Sequence, residues 1–321
     1  MVYSIGEALI DMIPEDNRPL RYVDCFLKQA GGAPANTAAA VAKLGGKAAF
    51  ISKVGNDGFG RYLIDTLSAS GVDVSRVSFA KDKSTGIIFV ALDEDGEREF
   101  CSMRQNSADL YLSPDEIDPE WFNKEDILHF CSVSLVEAPV KYAHIKALDS
   151  IIKADGRVSF DINLRPMLWK SKEDLLFTIW DFMKYPDYLK VSGEEIKYIF
   201  DSDDYISAVR SFFDKGDRLK FIVISSGSDG SDIFMRDGKS YHQDAFKSEI
   251  TDTTGAGDCF TGSVLYHLNK AVKEPALEDM KRVLKFASAA SALAITKKGA
   301  MTSLPAYRDV TDFLNLCDKL S

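Results

Sequence analysis

The run Asp252-Thr-Thr-Gly-Ala-Gly-Asp258 places an anion site and a base side by side. Gly255, Ala256 and Gly257 lead into a helix-like stretch, and free backbone N–H groups at a helix start bind anions. Such groups can hold the oxygens of a transferring phosphoryl group, where charge develops. Asp258 would then lie in the first turn, placed to accept the proton of an attacking hydroxyl. A carboxylate in a first turn is also favourable through the helix dipole alone. Taken by itself, the run leaves both readings open.

Two further glycine-rich runs stand at strand-to-helix junctions. Gly227-Ser-Asp-Gly230 follows the apolar segment 221–225, and Gly31-Gly-Ala-Pro-Ala-Asn36 opens a helix. The common phosphate-binding architectures do not fit. A Walker loop would need glycine where Ile233 stands ahead of Gly238-Lys239-Ser240, and Gly55, Gly58 and Gly60 have the wrong order for a dinucleotide fingerprint. Cys259 adjoins the key aspartate, but the four histidines show no pattern that would activate it, so a small buried residue is expected there.

Strand-like and helix-like segments alternate through most of the chain. Residues 3–9, 48–54, 127–131, 158–160, 188–191 and 221–225 read as strands, with helices over 34–44 and 59–70. That alternation predicts an α/β fold with a central, mainly parallel sheet and helices on both faces. Two segments break the rhythm. Residues 86–92 and 97–103 form an apolar pair joined by Asp93-Glu-Asp-Gly96, a hairpin signal, and 14–26 is irregular. A hairpin of this kind cannot easily enter the central sheet. It is expected to project as a small β-sheet lid formed by about 12–30 and 82–107, with 1–321 otherwise one domain.

Composition narrows the partners. Of 321 residues, 45% are hydrophobic and 27% charged, which is ordinary for a chain that buries a large core. A net charge of −10 without a Lys/Arg cluster argues against nucleic acid, though a nucleotide needs only a few local donors. No apolar run is long enough to span a membrane. Five scattered cysteines, odd in number and without CxxC spacing, point to a reducing, cytoplasmic setting rather than disulfides or zinc.

The run Asp252-Thr-Thr-Gly-Ala-Gly-Asp-Cys-Phe-Thr-Gly262 closely resembles the C-terminal signature of the PfkB (ribokinase-like) carbohydrate kinases. Gly31-Gly-Ala-Pro-Ala-Asn36 through Leu44-Gly-Gly46, and Lys53-Val-Gly-Asn-Asp-Gly-Phe-Gly60, resemble the N-terminal one. Intermediate matches keep the family order: Gly6-Glu-Ala-Leu-Ile-Asp11, Gly96-Glu-Arg-Glu-Phe100, Arg104 with Ser107-Ala-Asp109, Asp161-Ile-Asn-Leu-Arg165 and Lys297-Lys-Gly-Ala300. Several of these look most like fructokinases. A 2-keto-3-deoxygluconate kinase or another sugar kinase of the family is the alternative.

The resemblance implies a ribokinase-like fold, ATP and a sugar as ligands, Mg²⁺, and a K⁺ loop in some members. It makes Asp258 the base, with Gly255, Ala256 and Gly257 as the anion hole. Asp11, Gly32, Asn36, Arg104, Glu137 and Arg165 would line the sugar pocket. Ser192, Ser225, Gly227, Gly230, Ser288 and Gly299 would border the nucleotide. Glu195 would organise Mg²⁺ through water, and Asp252, Thr254, Ala294, Gly299 and Ser303 would form the monovalent-cation loop. Ser192 departs from the family's usual Asn-x-x-Glu, which puts its own role in doubt. A homodimer through the lid is a further expectation.

Overall fold

The computed structural model describes residues 1–15, 18–92, 98–271 and 273–320. Its main sheet contains β1 (Val2–Ile5), β4 (Ala48–Gly55), β5 (Asp73–Ala80), β8 (Ile127–Cys131), β9 (Arg157–Asp161), β10 (Tyr188–Ser192), β11 (Phe221–Ser225), β12 (Ser231–Met235) and β13 (Ser240–Gln243). Their spatial order is β13-β12-β11-β10-β9-β8-β1-β4-β5, parallel from β5 to β11 and antiparallel at the β12 and β13 edge. A second, four-stranded sheet has the order β3-β2-β6-β7, from Phe26–Gly31, Leu9–Pro14, Gly86–Leu92 and Arg98–Met103.

Parallel strands covered on both faces read as near-continuous apolar runs, as Phe-Ile-Val-Ile of β11 does. One face packs on α1 (Ala33–Lys43), α2 (Gly58–Ala69), α7 (Ala256–Lys270), α8 (Leu277–Ala294) and α9 (Tyr307–Leu320). The other packs on α3 (Pro139–Lys153), α4 (Lys172–Phe182), α5 (Gly193–Phe200) and α6 (Tyr205–Lys215). The family-like small residues serve these contacts. Alanine-rich α1 lies so close to α7 that a Cβ on Gly262 would come within 2.5 Å of the Ala40 Cβ. Gly262→Val should therefore force the helices apart, lowering stability by about 1–3 kcal/mol in denaturant unfolding.

The expectation of one strand over 3–9 is corrected. Gly6, at φ 146°, breaks it, and a Cβ there would meet the Pro34 ring at 2.6 Å. The chain leaves the main sheet after Ile5 and enters the second as β2. Among the described residues of the segment read as irregular, the short turn Leu20–Tyr22 precedes β3. β6 and β7 pair antiparallel in the second sheet as the hairpin reading required, while its turn, residues 93–97, lies outside the described residues. Strands β5, β12 and β13 had escaped the sequence reading, because their runs mix polar and apolar residues too evenly.

Candidate active site

Helix α7 begins where the glycines place it. Gly255 is its N-cap in the left-handed region (φ 78°), no side chain caps it, and Asp258 falls in its first turn. The Ala256 N–H donates to Thr253 O at 3.3 Å, so that amide closes the turn, and the next amides along are the better-placed anion donors. Asp258 is buried, and its Oδ2 accepts from Asn36 Nδ2 at 2.8 Å, a contact across 222 residues of sequence. Asn36 therefore meets Asp258 first, and its own Oδ1 is buried without a hydrogen-bond partner among the described residues. A buried acceptor left unsatisfied is costly, so that oxygen is open to a hydroxyl donor.

Asp11 on β2 enters the same neighbourhood. A Cβ on Gly31 would lie 2.1 Å from its Oδ2, so the bare glycine on β3 is what lets the carboxylate lie across the strand. Burial first, and the negative charge of Asp258 next, push Asp11 up to about 7, against the pull of Arg165. Burial likewise pushes Asp258 up to about 6, although Asn36, Lys190 and Arg165 favour its charge. Arg165 is exposed beyond β9, yet its charge reaches both acids; its Nη1 donates to Leu164 O. Gly32 caps α1 at φ 108°, where a Cβ would run into Glu7 O at 2.4 Å.

Two sugar-pocket expectations take a different form. Arg104 is neither a hairpin surface charge nor open to a pocket: it is buried and surrounded by protein acceptors. Its Nε donates to Asp109 at 2.8 Å, Nη1 to Val133 O and Nη2 to Ser134 Oγ at 3.0 Å, with Glu7 3.9 Å away. The exposed Glu137 carboxylate accepts from Lys141 and Tyr142 of α3, which hold it below the usual range, the tyrosine most. Cys259 is buried, and burial pushes its thiol up to about 12, which disfavours the thiolate a nucleophile would need.

The arrangement has close counterparts among known proteins. A model of the pfkB family of carbohydrate kinases matches residues 1–307. The chain belongs to this family. Fructokinase-1 of Zea mays is 38% identical over 324 residues, 98% of this chain and 97% of the relative. A doubly substituted fructokinase of Vibrio cholerae O395, bound to fructose, ADP and potassium ion, superposes with a TM-score of 0.89 at 33% identity, covering 98% and 97%. Aminoimidazole riboside kinase of Salmonella enterica, with its riboside and an ATP analogue, gives 0.87 at 30% identity, covering 98% and 99%.

In this pfkB-family chain the residues expected to border a nucleotide fall at strand ends, in the turn to β12 and on or beyond α8. Ser225 ends β11, and Gly227 and Gly230 adopt positive φ in the tight turn to β12. A Cβ on Gly230 would lie 2.1 Å from Gln243 O, so that glycine is also a packing requirement. Ser192, which stands where the family pattern usually has Asn, has a local structural role. It is the N-cap of α5, its Oγ accepting from Glu195 N while its N–H donates to Glu195 Oε2 at 2.7 Å. Glu195 Oε1 accepts from Leu164 N at 2.7 Å, which pins that carboxylate between two loops.

Among the described residues no three His, Cys, Asp or Glu side chains converge on a metal position. Of the residues expected to form a cation loop, Asp252, Thr254 and Gly299 come together. Asp252 accepts from Thr254 N and Oγ1 through Oδ1, and from Gly299 N at 2.9 Å through Oδ2. Ala294 ends α8, where Ile295 O accepts from the amides of Thr251 and Asp252. Ser303 is buried against Ala300 O, and Ser288 is buried within α8. The sequence reading had assigned nothing to Glu7, Asp109, Asp161 or Lys190. Three of these stood inside quoted matching runs, but their partners are visible only in three dimensions.

Proposed function

We propose that this protein is an ATP-dependent fructokinase that moves the γ-phosphoryl group of ATP to the 6-hydroxyl of D-fructose. The observation that carries the reading is Asp258, buried in the first turn of an uncapped helix, bonded to Asn36 and flanked by Asp11. A kinase needs a proton acceptor beside an anion hole, and this start of α7 supplies both. Asp11, with the free Oδ1 of Asn36, would accept hydrogen bonds from sugar hydroxyls, and Arg165 would balance the acids. ATP would lie across the β10–β11 side, its phosphates directed at α7. When bound, Mg²⁺ would neutralise phosphate charge, and Glu195 would orient its water; Asp252, Thr254, Ala294, Gly299 and Ser303 would hold a potassium ion.

The second sheet would act as the lid, keeping water from the phosphoryl group. No helix of the described residues is long and apolar enough to cross a membrane, and all five cysteines are free, which fits a cytoplasmic enzyme. A coupled assay of ADP release across fructose, ribose, adenosine, aminoimidazole riboside and 2-keto-3-deoxygluconate tests the substrate. Fructose should give the highest kcat/KM; another acceptor clearly ahead of it would overturn the assignment.

The acids also set a pH dependence. Asp258 accepts a proton only when ionised, and Asp11 favours hydroxyl donors when ionised, so kcat/KM should fall on acidification through about 7 and then about 6. An initial-rate profile that stays flat down to pH about 5 would contradict these roles.

A further inference from the structure

Lys190 is out of place in its strand. β10 lies between β9 and β11 in the parallel part of the main sheet, where apolar side chains are the rule. The lysine side chain is nonetheless only 14% exposed, and lysines are seldom buried unless paired. Its partner is Asp161, the register neighbour on β9, whose Oδ1 lies 3.2 Å from Nζ. Asp161 is fixed from the other side by Thr261 Oγ1, which donates to Oδ2 at 3.2 Å from the α7 turn that follows Asp258.

The pair is lopsided. Asp161 is 2% exposed and faces the fold, while the ammonium faces the start of α7. A Cβ on Gly257 would come 3.7 Å from Nζ. Among the described residues Asp161 is the one carboxylate in contact with that ammonium, and no hydrogen bond takes its other N–H groups. An ammonium has three donors, and its contact with Asp161 Oδ1 is an ion pair without a hydrogen bond, so donors remain open to a ligand oxygen. Burial works against its charge, but Asp161 and then Glu195 outweigh it and hold Lys190 above its ordinary range.

We infer that Lys190 is a further residue of the phosphoryl-transfer site, an ammonium that Asp161 holds against Gly257 so that its open N–H groups meet an oxygen of the phosphoryl group in transit. The inference rests on the proposed function in one respect: the start of α7 is where that group is held. The chemistry suits it. Charge in transit spreads over three equatorial oxygens, and a compact cation fixed beforehand stabilises it without reorganising. A pair that served the fold alone could be exchanged for neutral residues with little loss.

Lys190→Met keeps the side chain's length and removes the charge. Calorimetric titration of the Mg²⁺-loaded protein with ADP, in saturating fructose, with and without aluminium fluoride, reads the effect without turnover. The variant should bind ADP alone within about threefold of wild type and lose about tenfold or more of the tightening that fluoride produces. Its kcat should fall about 10²–10³-fold, with KM for fructose nearly unchanged. Where Met alone leaves Asp161 an unpaired buried charge and the fold suffers, K190M/D161N removes both charges and carries the same expectations. Full fluoride tightening in K190M, or near wild-type kcat in K190M/D161N, would overturn the inference and leave Lys190 a neutraliser of Asp161. Failure of the function reading would look different: wild type itself would phosphorylate no sugar.

Discussion

Asp258→Asn should lower kcat by about 10²–10⁴-fold, the usual cost of losing a general base, while calorimetry shows fructose still binding. The substitution keeps shape. Asn36 Nδ2, which now donates to Asp258 Oδ2 at 2.8 Å, would find an amide oxygen in the same place. The same variant carries a second signature. Asp258 is held at about 6, above the ordinary value of 3.8, chiefly by burial. A raised carboxyl contributes stability that is fully present below the unfolded value and is lost as pH rises through the folded one. At neutral pH the ionised Asp258 therefore weakens the fold, and its neutral amide should raise the melting midpoint slightly. That gain should shrink as pH falls from 6 towards 3.8. Near-normal turnover would remove Asp258 from the role of base, and a variant less stable than wild type at pH 7 would contradict its raised carboxyl.

How much of this was legible in the sequence follows from how far apart the parts lie. The start of α7 was legible because glycines, helix and base are contiguous, so local rules suffice. The β8, β11 and β6 bounds were legible because each is a clean apolar run. The partnership of Asn36 with Asp258 was not, since nothing local to either residue specifies it. Nor was the pairing of Lys190 with Asp161, which needs the β9–β10 register. Ser192 shows a third case. The departure from the family's Asn put the role of Ser192 in doubt, whereas the residue meets a local demand, because serine is a strong N-cap and Glu195 completes the capping box. β2 was hidden for a simpler reason: one glycine redirects an apolar run from one sheet to another.

Arg104→Ala should cost about 3–5 kcal/mol, the usual effect of removing one partner from a buried ion pair. Glu7 and Asp109 are each 2% exposed, and the guanidinium is the cation between them. Burial already raises Glu7, and Arg104 is the main influence opposing it. Without that charge Glu7 would be driven further towards its protonated form. The loss of stability should therefore be larger at alkaline than at acid pH, because an ionised Glu7 is then buried without its cation. The position matters for the site as well. Arg104 follows β7 of the second sheet, Val133 and Ser134 follow β8, and Glu7 lies between β1 and β2 while accepting from Ala33 N at the start of α1. This cluster fastens the end of β7 in the second sheet to the ends of β1 and β8 and to the start of α1, the helix that carries Asn36. Arg104→Lys keeps the charge but loses the fork that reaches three acceptors at once, so its stability should be intermediate. Urea unfolding of both variants at two pH values, with KM for fructose measured on each, checks the argument. KM should rise in step with the lost stability, and an alanine variant as stable as wild type would show that the network does not hold the second sheet in place.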